Sequence, residues 1–335
     1  MNPPGLERQT SAAADVFPLL AKTGALQLVV VARQRFRLAG GRPQRIPGAK
    51  IRPVDVPWEE DSPKSSLRAP GDRFICKPGT DVIVVADAVS PGERPVRELE
   101  VGVRVGPLQK TLRVLGLRAF FASLGSVSLT PPQPFVRQTL RWEDAYGGMD
   151  ASDPKQAVQE PRNPCGRGLA IRPESLVGQP APHVEDPQHP YTGPRSRPPP
   201  AGLAPLGAHF AQRLRWAGTM DQRWADERCP LPPADFDDRF NHCAVTELIS
   251  PRPLGKGEPV ECVGLNVAGP LRFALPPGDF VVEGRVSGRR FEVPLRMDLV
   301  QLEPNLAQLE LSWRASLAVP DDLQAVTGLT LREEE

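Results

Sequence analysis

Residues 26–38, LQLVVVARQRFRL, begin as a β-branched run and then alternate, with Phe36 and Leu38 on one side and Arg35 and Arg37 on the other. A period of two predicts a strand with one charged face. TDVIVVADAV (80–89), entered through the turn-forming KPG, predicts a short buried strand. VRELEVGVRVG (96–106) alternates strictly, placing Val101, Val103 and Val105 opposite Arg104. KTLRVLGLRAFF follows the turn at Gly106-Pro107, so the two segments predict a β-hairpin. The same rhythm returns after residue 245 in EPVECVGLNV, GPLRFALP, DFVVEGRV, RRFEVPLRMDLVQLE and LAQLELSWRASL, with Ser287-Gly288 as a second hairpin turn. The terminal LREEE is expected to fray.

Between these regions the periodicity breaks down. Residues 178–206 carry nine Pro, although Tyr191, Leu203 and Leu206 give the stretch side chains to pack, which favours an ordered loop over a linker. The best helix candidate is TMDQRWADERCP. Thr219 or Asp221 can cap it, Pro230 stops it after Cys229, and the helix is predicted over about 221–228. The pattern divides the chain into an N-terminal β region (1–129), a Pro- and Gly-rich middle with short helices (130–241) and a C-terminal β region (242–335). The fold class predicted is therefore mainly β: antiparallel, sandwich-like N- and C-terminal parts joined by a loop-dominated middle.

Composition sharpens this picture. The chain has 41 Pro in 335 residues, more than twice the usual share of about 5%. Pro is hostile to helix interiors, so a folded chain this rich in it is expected to use short strands and rigid loops. Lys and Arg number 41 against 40 Asp and Glu, a formal net charge of +1 that gives no reason to expect nucleic acid as a partner. Neither a secretory leader nor an apolar run long enough to span a bilayer is visible, and five Cys without a framework spacing suit a reducing compartment. A cytoplasmic protein without membrane insertion is expected.

The densest chemistry lies in RWEDAYGGMD (141–150) and NPCGRGLAI (163–171). Glu143 and Asp144, with Asp150 nearby, could divide acid and base roles. Neighbours on a strand point to opposite faces, however, and the plainer expectation is that they satisfy Arg141 or loop amides beside Gly147-Gly148. Cys229, His242, Cys243 and Cys262 are soft ligands, but none has a two-residue Cys spacing and the adjacent His242-Cys243 pair is poorly placed to share a metal. There is no G-x-S-x-G elbow, the four His (183, 189, 209, 242) lie mostly in the Pro-rich middle, and CGRG lacks the strand and helix of a phosphate loop. No catalytic residue, metal or cofactor is predicted. Arg141, Trp142, Glu143, Tyr146, Gly147, Gly148, Asn163, Pro164, Gly166, Gly168, Trp216 and Trp224 instead form a candidate partner-binding or structural motif, built from tight corners beside aromatic and Arg anchors.

The motifs VVVARQRF, CKPGTDVIVVADA, RWEDAYGG, NPCGRGL, PPPAGLAPL, WAGTMDQRWADERCPLPPADFDDRFN, GEPVECVGLNVAGPLRFALP and LELSWRASL, in this order, resemble the bacterial family catalogued as domain of unknown function 2169. The resemblance runs from about residue 25 to about residue 318. Members lie beside type VI secretion genes, next to PAAR-type spike tips, VgrG and toxic effectors, and are viewed as adaptors or chaperones. The resemblance therefore implies a non-enzymatic, cofactor-free protein. It would bind a PAAR-like or toxin effector protein, possibly VgrG, and assist loading onto the spike. The alternatives are a hydrolase using Glu143, Asp144 or Asp150, and a structural component kept in the spike. The sequence departs from the family pattern at Arg33 (Lys is usual), Tyr146 (Phe is usual) and Met220 (commonly aromatic).

Overall fold

The computed structural model describes residues 4–59, 65–153, 155–320 and 323–334. It is mainly β, with several largely antiparallel sheets, a few short helices and no barrel. The backbone of the molecule is a seven-stranded sheet centred on the strand Leu26–Ala39. One edge of that strand pairs along its length with Gln308–Ala318. The other edge is shared between Ala13–Leu20 and Arg42–Ile46. Arg296–Glu303 continues the sheet beyond Gln308–Ala318 and is followed in parallel by Thr80–Val84.

The N- and C-terminal β regions thus do not form separate sheets. Their strands interleave in this sheet, and again in a five-stranded one where Glu98–Val105 pairs on one side with Leu108–Leu115 and on the other with Pro259–Val263. The hairpin predicted around Gly106-Pro107 is present, as is the one at Ser287-Gly288 between Phe280–Val286 and Arg289–Pro294. RRFEVPLRMDLVQLE is split, however, into Arg289–Pro294 and Arg296–Glu303, which belong to different sheets. The strand Ala13–Leu20 was not predicted because Asp15 and Pro18 break its apolar pattern. It lies at a sheet edge, where the missing Pro N–H costs no ladder bond. The tail departs from the expected fraying: Val326–Glu333 is the second strand of a four-stranded sheet, Leu331 is buried, and Arg45 pairs with Glu333.

Alternation gives the seven-stranded sheet two unlike faces. Leu28, Val30, Ala32, Phe36, Leu309, Leu311 and Trp313 fall on one side, and this side joins one continuous apolar cluster that includes Val282, Leu329 and Leu331 of the four-stranded sheet and Val101, Val103 and Val105 of the five-stranded one. Trp313 meets Phe280 edge to face at 4.8 Å between ring centres. The opposite side carries Arg33, Arg35, Glu310, Ser312 and Arg314, and most of these are buried as well.

Charges at such depth require partners. Arg33, 1% exposed, donates Nε and Nη2 to one oxygen of Asp72 and Nη1 to Glu310. Arg35 and Arg52 also reach Glu310, at 2.9 and 2.8 Å. Burial alone would raise the pKa of Glu310, but the surrounding guanidiniums hold it below the usual carboxylate value. Arg314 pairs with Asp298 at 2.7 Å, donates to the carbonyls of Asp72 and Phe74, and lies 3.6 Å above the Phe74 ring. Farther along, Asp81 is held by Lys77, by the ring of His242 and by the Cys243 amide. Burial works against its ionisation, yet these partners keep its pKa well below normal. The partners come from loops around residues 52, 72–77 and 242–243, which roof this face of the sheet.

Tyr191, Leu203 and Leu206 are buried, so the Pro-rich stretch is an ordered loop tied to the sheets. The predicted helix is Gln222–Glu227, with Asp221 capping it through the Trp224 amide at 2.8 Å.

Replacing Arg33 by Met should destabilise the protein by about 3–5 kcal/mol, because two buried carboxylates lose their shared partner. Arg33→Lys keeps the charge but not the fork and should fall between the two. Urea unfolding monitored by tryptophan fluorescence measures both. An Arg33→Met protein within about 1 kcal/mol of the parent would show that the network contributes little.

Candidate functional site

RWEDAYGG folds into a knot whose polar atoms face inward. Trp142–Asp144 is a single 3-10 turn. Asp144 closes it by accepting from the Arg141 amide, and it also takes the Thr139 hydroxyl at 2.6 Å and Arg167 Nη2 at 2.9 Å. Trp142 is buried, with Nε1 donating to the carbonyl of Ala204, its ring edge-on to Phe210 and pressed against Gly202. Glu143 points the other way. Its two carboxylate oxygens accept from the amide and hydroxyl of Ser66, each at 2.7 Å. Of the partners expected for Glu143, Arg141 or a loop amide beside Gly147-Gly148, a loop amide is found, but it is that of Ser66, and Arg141 lies 4.1 Å above the Trp58 ring.

NPCGRGL threads through this turn. Asn163, fully buried, donates Nδ2 to the carbonyls of Trp142 and Tyr146. Tyr146–Gly147 runs parallel to Arg167–Gly168. Gly147 and Gly148 have φ of +147° and +89°, and a Cβ on either would sit 2.2 Å from a backbone oxygen, of Asn163 and Gly166 respectively. Gly166 is packed against Asn163 and Ala145, and Gly168 against Pro182 and Tyr191. Tyr146 stacks on Tyr191, whose hydroxyl donates to the Gly168 carbonyl. Pro164, half-buried, sits in the turn between Asn163 and Gly166. Ten of the twelve candidate residues therefore converge on one knot.

Trp216 and Trp224 belong elsewhere. Trp216 is covered by the Arg239 guanidinium at 3.4 Å, and Trp224 Nε1 donates to the Leu231 carbonyl. Both organise the short-helix segment 211–241.

The three carboxylates are held by separate partners, Glu143 by Ser66, Asp144 by Thr139 and Arg167, and Asp150 by backbone amides. Asp150 accepts from the amides of Ser152 and Ile171, and although burial opposes this, those bonds lower its pKa, the wrong direction for a general acid. One thiol–imidazole contact was not visible in sequence: Cys165 Sγ lies 3.5 Å from His209 Nε2. Burial pushes the Cys165 thiol up to about 12 and lowers the His209 pKa, the opposite of thiolate activation. Cys229 is exposed, Cys262 is buried in the five-stranded sheet, and His242 and Cys243 bond to Asp81. Among the described residues no group of His, Cys, Asp and Glu is arranged to hold a metal ion.

A family model described as "Uncharacterized protein conserved in bacteria (DUF2169)" matches residues 23–314. The chain belongs to this family. The DUF2169 match spans the central strand, the roof over its charged face, the whole knot and the 211–241 segment, while Val326–Glu333 lies beyond it. No curated protein and no solved structure matches the chain.

Trp142→Ala should cost about 3–5 kcal/mol. Gly147→Val or Gly148→Val should cost at least as much or prevent folding, since backbone would have to move. Glu143→Gln keeps one acceptor for Ser66 and should cost under about 1.5 kcal/mol. Thermal unfolding of this series gives the ranking, and a Glu143→Gln loss equal to that of Trp142→Ala would contradict the packing account.

His183 sits at the base of the knot with Nε2 3.5 Å from Asp144. Burial depresses its pKa below 6.5, Arg167 and Arg118 add to the effect, and Asp144 only partly opposes it. A depressed pKa means stability that is present above the unfolded value and lost as pH falls towards the folded one. Unfolding free energy should therefore drop from pH 7 towards pH 5 with a slope up to about 1.4 kcal/mol per pH unit steeper than in His183→Asn. Equal slopes in the two proteins would remove His183 from the pH response.

Proposed function

We propose that the protein is a non-enzymatic adaptor-chaperone of type VI secretion. It binds a PAAR-like or toxin effector domain in the cytoplasm and assists its loading onto the VgrG spike. The observation that carries this reading is the internal use of the knot's chemistry. The carboxylates of 141–150 and the Trp142 indole are taken up by Ser66, Thr139, Arg167, Ala204 and backbone amides, an arrangement suited to holding a surface rather than turning over a substrate. The ordered resemblance of eight segments to a family encoded beside spike and effector genes supplies the setting, and membership of DUF2169 is consistent with it. Residues of the described structure form no helix long and apolar enough to cross a membrane.

Co-expression with the products of neighbouring genes, followed by affinity purification, tests the proposal. A PAAR-like or effector protein should co-purify in stable stoichiometry, and the chain should stay in the cell fraction when the effector is secreted. Recovery of the chain in sheared spikes would favour the structural role. Glu143→Gln retaining fold and partner but failing in delivery would favour a hydrolase.

A further inference from the structure

A groove of about 740 Å³ opens on the charged side of the central sheet, next to the knot. Arg35, Gln301, Glu303 and Gln308 of the sheet line it, together with Trp58, Arg68, Leu140 and Arg141. This size falls within the range of about 300–1,000 Å³ common for binding clefts.

The charge of the lining is lopsided. Arg35, Lys50, Arg52, Arg68, Arg137 and Arg141 contribute to it, against Asp87 and Glu303. Asp87 is taken by Arg137 at 3.0 Å. Glu310 is shared by Arg33, Arg35 and Arg52, so its single negative charge does not neutralise the pair that line the groove. Among the described residues no carboxylate pairs with Lys50, Arg68 or Arg141. Arg68 and Arg141 are held instead over the Trp58 ring, at 5.5 and 4.1 Å from its centre. Stacking leaves the guanidinium edges, with their N–H groups, available for carboxylates. This local surplus of basic side chains stands in a chain whose formal net charge is only +1.

We infer that this groove binds an acidic, extended segment of a partner protein, with Asp or Glu side chains meeting Arg68, Arg141 and Lys50, and an apolar side chain resting on Val56 and Leu306. A polypeptide fits better than a compact anion because the exposed apolar side chains Val56 and Leu306 line the same groove as the bases. Glu333 is not the occupant, since it is paired with Arg45 of the seven-stranded sheet. The inference rests on the reading of the protein as a binding adaptor and assigns that function a site.

The test is fluorescence anisotropy with a short labelled peptide of alternating Glu and Leu, a matched Lys–Leu peptide and a single-stranded RNA of similar length. The Glu–Leu peptide should bind, about tenfold more weakly as ionic strength rises from about 0.05 to about 0.3 M. Arg68→Glu/Arg141→Glu should weaken it by about tenfold or more with an unchanged melting temperature. Arg68→Glu alone, at an exposed position, should give a smaller loss in the same direction if Arg141→Glu disturbs the knot. Equal binding of the Lys–Leu peptide, tighter binding of RNA, or reversal variants that bind the Glu–Leu peptide like the parent would each overturn the inference. In the co-purification assay, partner capture that survives charge reversal removes the groove but leaves the adaptor. Arg-dependent peptide binding without any captured partner keeps the groove and removes the adaptor.

Discussion

Arg33 lies in the middle of the longest strand with almost none of its surface in water, and Asp72 and Glu310 close around it. A guanidinium there is tolerable only if both carboxylates are in place. One comes from a neighbouring strand and the other from a loop, so the interaction ties the loop layer to the sheet. The same holds along the face: Arg314 requires Asp298 and the carbonyls of Asp72 and Phe74, and Asp81 requires Lys77 and His242. The sheet is apolar on one side and ionic on the other. The apolar side is buried by two further sheets, and the ionic side by Pro-rich loops whose fixed φ angles keep them rigid without regular hydrogen bonding.

The knot extends this logic. Its glycines allow two chain segments to approach at distances no side chain would permit, and Asn163 bridges them from within. Polar residues that read as chemistry along the chain thus serve as the mortar between strands. Towards the basic groove the knot offers Arg141, which leaves the turn and stacks on Trp58 in the groove lining. Architecture and recognition meet at that residue: the turn fixes the backbone, and the free side chain faces the opening.

Much of this was legible beforehand. Alternation located the strands 26–39, 98–105, 280–286 and 308–318, and the Asp221 cap with the Pro230 stop located the short helix. The buried Trp142 and the glycine corners were also indicated by residue type. Ala13–Leu20 escaped notice because an edge strand can hold Asp and Pro, and the final strand because a charged end looks like a frayed one until Arg45 and Phe280–Val282 are beside it. Trp58 and Arg68 of the groove, and Cys165 beside His209, gave no signal of their own, since each matters through residues far away in the chain.

Sequence alone determined the local periods, the turns, the fold class and the family pattern, because these depend on neighbours within a few residues. Which face of the central strand would be buried could not be decided that way. Arg33 and Arg35 alternate as solvent-facing residues do, and only the arrival of Asp72 and Glu310, distant by 39 and 277 residues from Arg33, turns an apparent surface into an interior. Long-range pairing also placed first-third and last-third strands in common sheets and left a surplus of positive charge over the groove. The reason is physical: the cost of burying a charge, and the binding potential of an unneutralised one, are set by what stands within a few ångströms in space, which separation along the chain does not encode.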